Sequence, residues 1–252
     1  MALDLSKFKK APKNLDIKDL VIFENEQYVV INKPPFVPSL DERTADKSLS
    51  ILKLAREAYG DIQLCHRLDK ETSGALVLAK NPEAYRNLAM QFEHREVQKE
   101  YHAVVNGAHD FDSIGVFLPI AVLKDGTAVR IDRQKGKLAE TIFFTLQKFQ
   151  RHTLVRCVPI TGRMHQIRVH LQCLNAPIVC DPTYGGDYIF LSQIKRKFNL
   201  KAESEELPLI KRVALHAHKI HFRDVDGTVL SITAPYPNDF EVLVNQLVKF
   251  SS

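Results

Sequence analysis

The sequence predicts an α+β fold, a mixed and mostly antiparallel central sheet flanked by helices. Three observations point to it. A hairpin signal opens the chain, strand-like runs dominate residues 97–160, and helical stripes stand apart from both. No internal repeat, low-complexity tract or linker interrupts the chain. Residues 1–18 therefore read as a loosely ordered lead-in and residues 19–252 as a single domain.

The segment 21–33 gives two short β-rich runs around a polar turn, ended by Pro34-Pro35. Pro34, Pro35 and Pro38 then stiffen a loop. Leu49, Ile51, Leu52, Leu54, Ala55 and Ala58 recur at helical spacing, with Ser48 as N-cap and Gly60 as the stop. Residues 75–79 read as a buried strand. Asn81-Pro82-Glu83 supplies a cap, a proline at the first helical position and an acidic first turn. The stripe Tyr85, Leu88, Ala89 and Phe92 follows. Strands are predicted over 100–106, 115–122, 141–147 and 153–159. Helical spacing returns from His165 to Leu174 and stops near Asn175. Residues 187–210 are polar and charged, with Lys195-Arg196-Lys197 in a short helix. Strands near 212–222 and 229–233 and a helix near 239–250 close the chain.

A composition of 45% hydrophobic and 26% charged residues is that of a soluble globular protein. No apolar run approaches the roughly 20 residues that a membrane span needs. The polar N-terminus carries no secretory apolar core, so the expected location is the cytoplasm. Cys65, Cys157, Cys173 and Cys180 include no CxxC pair, which argues against a disulfide scaffold and against structural zinc. The net charge of +5 and the pI near 8.9 are compatible with a polyanionic partner. The 35 basic residues are spread along the chain, so any nucleic-acid surface must be assembled by folding.

Two polar segments concentrate chemistry. Asp69 stands in His66-Arg67-Leu68-Asp69-Lys70-Glu71-Thr72-Ser73-Gly74, between a helix and a hydrophobic strand, where a loop is anchored on rigid elements. The plain alternative is that Asp69 only turns or caps this loop. The second segment is Thr161-Gly162-Arg163-Met164-His165-Gln166-Ile167-Arg168-Val169-His170. His165, Arg168 and Gln172 share one helical face, and Ile167, Leu171 and Leu174 the other. This predicts a packed helix with its polar side turned to a groove; the alternative is a solvated basic face. Tyr101, in Lys99-Glu100-Tyr101, is a third candidate whose ordinary role would be half-buried packing.

The stretch 66–80 (HRLDKETSGALVLAK) resembles the signature of the RluA-type RNA pseudouridine synthases. Five more stretches follow that family's order: YVVINKP at 28–34, KEYHAVVNG at 99–107, GRMHQIRVH at 162–170, DPTYG at 181–185 and RVALHA at 212–217. The resemblance spans about residues 20 to 235. It implies the pseudouridine synthase fold, with a central RNA-binding cleft and one catalytic domain. It also implies isomerisation of specific uridines in ribosomal or transfer RNA, presented as a stem-loop. Asp69 would be the catalytic aspartate, Tyr101 the tyrosine that stacks on the uracil, and Arg168 the cation that pairs with the aspartate. Arg67 and Thr72 would shape the loop and contact RNA, and Ile167 and Leu171 would form an apolar wall. Lys70, Arg163 and His165 join the substrate-binding set, with Arg67, Lys70 and Arg163 as phosphate contacts.

No metal or cofactor is implied, because the reaction gains and loses no atoms overall. A monomer is the family-like expectation, and the roughly 20 residues ahead of the resemblance leave no room for an S4 RNA-binding domain. Two departures bear on loop shape. Lys33-Pro34-Pro35-Phe36 replaces the more usual Lys-Pro-Ala-Gly, and Cys180 stands where a glycine commonly precedes the aspartate.

The rival readings come from other classes. A metal-dependent hydrolase is suggested by His216 and His218, which alternation puts on one strand face, and by the close pair His165 and His170. No HExxH or HxHxD pattern supports it. A non-catalytic RNA-binding module would keep the fold without the set Asp69, Tyr101 and Arg168.

Overall fold

The computed structural model describes residues 8, 11–12, 14–41, 49–200 and 205–251. In chain order the elements are β1 (Val21–Glu24), β2 (Tyr28–Lys33), α1 (Ile51–Tyr59), β3 (Gln63–Leu64), β4 (Ser73–Ala79), α2 (Pro82–Glu93) and β5 (Gln98–Asn106). Then come β6 (Ile114–Phe117), β7 (Ile120–Val122), β8 (Val129–Ile131), β9 (Glu140–Lys148), β10 (His152–Pro159) and α3 (Gln166–Cys173). The series ends with α4 (Leu191–Ile194), β11 (Leu215–Arg223), β12 (Val229–Thr233) and α5 (Asn238–Phe250). Strand pairing is mostly antiparallel, and no helix among the described residues is long and apolar enough to cross a membrane.

The chain divides into two compact units. One comprises residues 9–101 and 216–235; the other comprises residues 1–8, 102–215 and 236–252. The divisions fall inside β5, between Tyr101 and His102, and inside β11, between Leu215 and His216.

In the first unit β2 and β4 are buried on both faces, so alternate residues feed two cores. Val29, Ile31, Leu76 and Leu78 join Ile51, Leu54 and Ala55 of α1. Tyr28, Val30, Ala75, Val77 and Ala79 join Ala84 and Leu88 of α2. Ile17, in the stretch read as a lead-in, is buried in the α1 core. The strands run β1-β2-β4-β11, with β3 on β4 and β12 on β11. All these ladders are antiparallel except β4–β11, which runs parallel through Ser73–His216 and Gly74–Ala217. Gly74 is required there. Its φ is +118°, and a Cβ would stand 2.2 Å from the Ala217 carbonyl oxygen.

In the second unit the strands run β5-β10-β9-β6, and β7 and β8 form a separate antiparallel pair. Val169 of α3 packs with Ile120, Val129, Ala139 and Tyr184. Arg212 is fully buried; its Nε and NH2 meet the Asp239 carboxylate at 2.7 and 3.0 Å, near the start of α5.

Several expectations are adjusted. The cap of α1 is Ser50, whose hydroxyl accepts from the Lys53 N–H at 3.2 Å; Ser48 lies outside the described residues. The buried stripe of α2 is Ala84, Leu88 and Gln91, with Tyr85 exposed beside it. The strand expected over 115–122 breaks at Leu118-Pro119 into β6 and β7, because proline donates no ladder bond. α4 ends at Ile194, so Lys195, Arg196 and Lys197 follow the helix instead of lying in it.

Candidate active site

The Asp69 loop is held through its main chain. Ser39 Oγ donates to the Leu68 carbonyl at 2.9 Å and accepts from the Leu68 N–H at 3.1 Å. Lys33 is fully buried, and its Nζ donates to the carbonyls of Pro34 and Val37 at 3.0 Å and of Lys70 at 3.3 Å. The Phe36 N–H also reaches the Lys70 carbonyl, at 2.7 Å. At the other end His66 Nε2 accepts from the Val77 N–H at 3.1 Å, and the Thr72 N–H closes a turn on the Asp69 carbonyl at 3.0 Å. A buried ammonium is costly to desolvate, so its place here is explained by what it fixes.

This frame leaves Arg67 and Lys70 exposed, Asp69 half-buried and Thr72 buried. Tyr101, half-buried on β5, packs against the core that contains Leu68. Burial, and then the negative charge of Asp69, push the Tyr101 phenol above its ordinary range. The tyrosine is therefore neutral at physiological pH, with a carboxylate close enough to act on it.

The remaining candidates gather around α3 in the other unit. The side chain of Gln166 makes four hydrogen bonds. Its Oε1 accepts from Thr161 Oγ1 at 2.7 Å and the Arg163 N–H at 3.0 Å, and its Nε2 donates to the Glu140 carbonyl at 2.8 Å and Thr141 Oγ1 at 2.9 Å. His165 enters the helix in the left-handed region, φ +51°, with Nδ1 3.0 Å from the Tyr184 hydroxyl. Arg168 is held by Asp181 in a two-pronged ion pair, and its guanidinium carbon lies 4.9 Å from the Tyr184 ring centroid. Ile167 is buried and Leu171 fully so. Arg163 is exposed, with Nε 3.3 Å from the Leu138 carbonyl.

Of the face expected to be polar, Arg168 is buried, His165 is half-buried and Gln172 is exposed, and α3 buries every residue from Gln166 to Leu171. The buried polar side chains Gln166, Arg168 and His170 are bonded to protein groups. Asp181 is the residue that motif reading left without a role. The available signal was its place at the head of DPTYG, where an acid before proline fixes a turn. Both departures from the family pattern fall on left-handed backbone, Phe36 at φ +66° and Cys180 at φ +60°. That is the conformation for which glycine pays no steric cost.

One histidine of each pair in the hydrolase reading is already engaged, while the Nδ1 of His218 is buried without a hydrogen-bond partner among the described residues. His216 Nδ1 meets Ser73 Oγ at 2.9 Å and its Nε2 meets the Ala234 carbonyl at 3.1 Å. His170 uses Nδ1 on Thr141 Oγ1 at 3.0 Å and Nε2 on the Leu118 carbonyl at 3.3 Å. Neither ring has a nitrogen left for a metal in this arrangement.

A mixed sheet carrying these two polar segments is the frame of an RNA-modifying isomerase according to comparison with known proteins. The profile of the RNA pseudouridylate synthase family matches residues 27–173. The chain belongs to that family, isomerases that convert uridine to pseudouridine in RNA. It is 34% identical to ribosomal large subunit pseudouridine synthase C of Vibrio vulnificus (strain CMCP6), over 94% of this chain and 72% of that protein. It is 36% identical to the dual-specificity RNA pseudouridine synthase RluA of Vibrio parahaemolyticus, over 66% of this chain and 69% of that one. Among solved structures, human RNA pseudouridylate synthase domain containing 4 superposes with a TM-score of 0.68 at 25% identity, covering 92% of this chain and 94% of that one.

Proposed function

We propose that this enzyme isomerises a uridine of ribosomal RNA, with Asp69 as the carboxylate that acts on the ribose as nucleophile or base. The observation that carries the reading is a half-buried carboxylate on a loop pinned through its main chain, beside a tyrosine kept neutral. The reaction breaks N1–C1′, turns the uracil and joins C5 to C1′; the proton lost from C5 is matched by one gained at N1. No electron changes hands, so neither cofactor nor metal is required. Tyr101 offers an aromatic face that holds the uracil without fixing its in-plane orientation. Arg168, the cation that the family sets against the aspartate, is the third member of the catalytic set.

A stacked uridine is inaccessible, so the base must be flipped from the RNA, which costs least in a loop. Arg67, Lys70 and Arg163 contact phosphates, Thr72 and His165 orient the strand, and Ile167 and Leu171 support the apolar wall. The names of the relatives support ribosomal RNA, and the name of the dual-specificity relative supports a second RNA target, for which transfer RNA is the proposal. The enzyme acts as a cytoplasmic monomer.

Mapping pseudouridine across total RNA from cells with and without the gene tests the reading. Sites that vanish and return with wild type, but not with Asp69→Ala, support it. An unchanged map rejects it.

A further inference from the structure

Close in sequence to both catalytic candidates lies a cation that the reaction does not use. Lys99 precedes Tyr101 by two residues on β5 and is half-buried. Its Nζ stands 5.9 Å from the Phe92 ring centroid, and the His66 ring lies 5.1 Å from the same ring at a 38° tilt. Because His66 Nε2 accepts from the Val77 N–H, the proton of the neutral ring sits on Nδ1, making that atom a donor. Burial, and then the charge of Lys99, push His66 down to about 3, so the ring is neutral at pH 7. Burial alone holds the Lys99 ammonium at about 8, with no carboxylate set against it among the described residues.

Two donors therefore neighbour one another, and neither meets an acceptor among the described residues. A phosphate oxygen satisfies both by charge-assisted hydrogen bonds, where another cation or a hydrophobic group cannot. The placement also suits a long polyanion. Three residues span at most about 11 Å, so His66 lies within that distance of Asp69, and two strand residues put Lys99 about 7 Å along the chain from Tyr101.

We infer that Lys99 and the Nδ1–H of His66 form a binding site for an RNA backbone phosphate close to the target uridine, with Phe92 as its aromatic floor. The inference rests on the proposed function for its choice of RNA, but not for the existence of an anion site.

Two measurements on the full chain test it. In the first, wild-type protein is acetylated at pH 8 in inorganic phosphate, in a short oligouridylate, or in chloride at equal ionic strength, and lysine labelling is read by mass spectrometry. Lys99 labelling is expected to fall at least about threefold in phosphate and further in oligouridylate, while exposed Lys53 does not change in phosphate. In the second, oligouridylate affinity is measured against salt. Lys99→Met should lower the slope of log K against log salt by about 0.7, the value for one single-strand phosphate contact, and Lys99→Arg should preserve it.

Equal Lys99 labelling in phosphate and chloride overturns the anion site. Protection by phosphate with an unchanged slope in Lys99→Met overturns its assignment to RNA. Failure of the functional reading shows separately, as an unchanged pseudouridine map with Lys99 still protected by phosphate.

Discussion

Arg168 and Asp181 form a two-pronged ion pair: Nε to Oδ2 and NH2 to Oδ1, each 2.7 Å, with the Asp181 side chain wholly buried and that of Arg168 10% exposed. The planar guanidinium is thereby fixed in direction as well as in place. Removing the carboxylate takes away the two-pronged anchor of a buried cation. Asp181→Ala should cost about 3–5 kcal/mol, read from urea unfolding, and lower turnover as well. A loss below about 1 kcal/mol would show that the pair does not order α3.

Gly74 and Gly185 both have positive φ, at +118° and +84°, but only Gly74 faces backbone within 4 Å. Gly185→Ala should cost about 1–2 kcal/mol, the price of left-handed backbone alone. Gly74→Ala adds a collision with Ala217 and should cost more, or prevent folding. Chemical denaturation of the two variants side by side checks the order, and equal costs would contradict the close approach of β4 and β11.

Tyr101→Phe keeps the ring and loses the hydroxyl. If the phenol moves a proton, turnover should drop about 10²–10⁴-fold while RNA affinity changes little. Tyr101→Ala should weaken both. Single-turnover kinetics with a separate binding measurement distinguish them, and full activity in the phenylalanine variant would leave only stacking.

Tyr28 is fully buried, with its hydroxyl donating to the Ala84 carbonyl at 2.9 Å and accepting from Asn87 at 3.0 Å. Burial raises it from 10 to about 12. A raised folded value contributes stability below pH 10 that is lost as pH climbs from 10 to 12, because the unfolded chain releases its proton first. The loss is on the order of 2–3 kcal/mol. Tyr28→Phe should flatten this alkaline limb; an identical limb in both proteins would reject the assignment.

What the sequence revealed was whatever is written in neighbouring residues. β2, β4 and α2 carry their own periodicity and caps, and the Asn81 cap sits where its residue type predicts. The stripe of α2 holds at Leu88 and Phe92 and fails at Tyr85, because Ala84–Leu88 and Tyr85–Leu88 both satisfy helical spacing. Bonds to main-chain carbonyls were illegible, since any oxygen in reach accepts them. Lys33 and Ser39 therefore give no motif that announces the Asp69 loop. Asp181 follows Arg168 by 13 residues through an irregular stretch, which periodicity cannot bridge. Phe36 and Cys180 looked like departures in composition, and the backbone shows them to be departures in strain.

Because Ser39, Lys33 and Phe36 grip the carbonyls of Leu68 and Lys70, the loop keeps these main-chain anchors whatever side chains stand at 67, 69 or 70. Chemistry and architecture are thus separately editable at this point of the chain. An Asp69→Asn protein is expected to be an intact but inert receptor, suited to capturing cellular RNA with its uridine still unconverted.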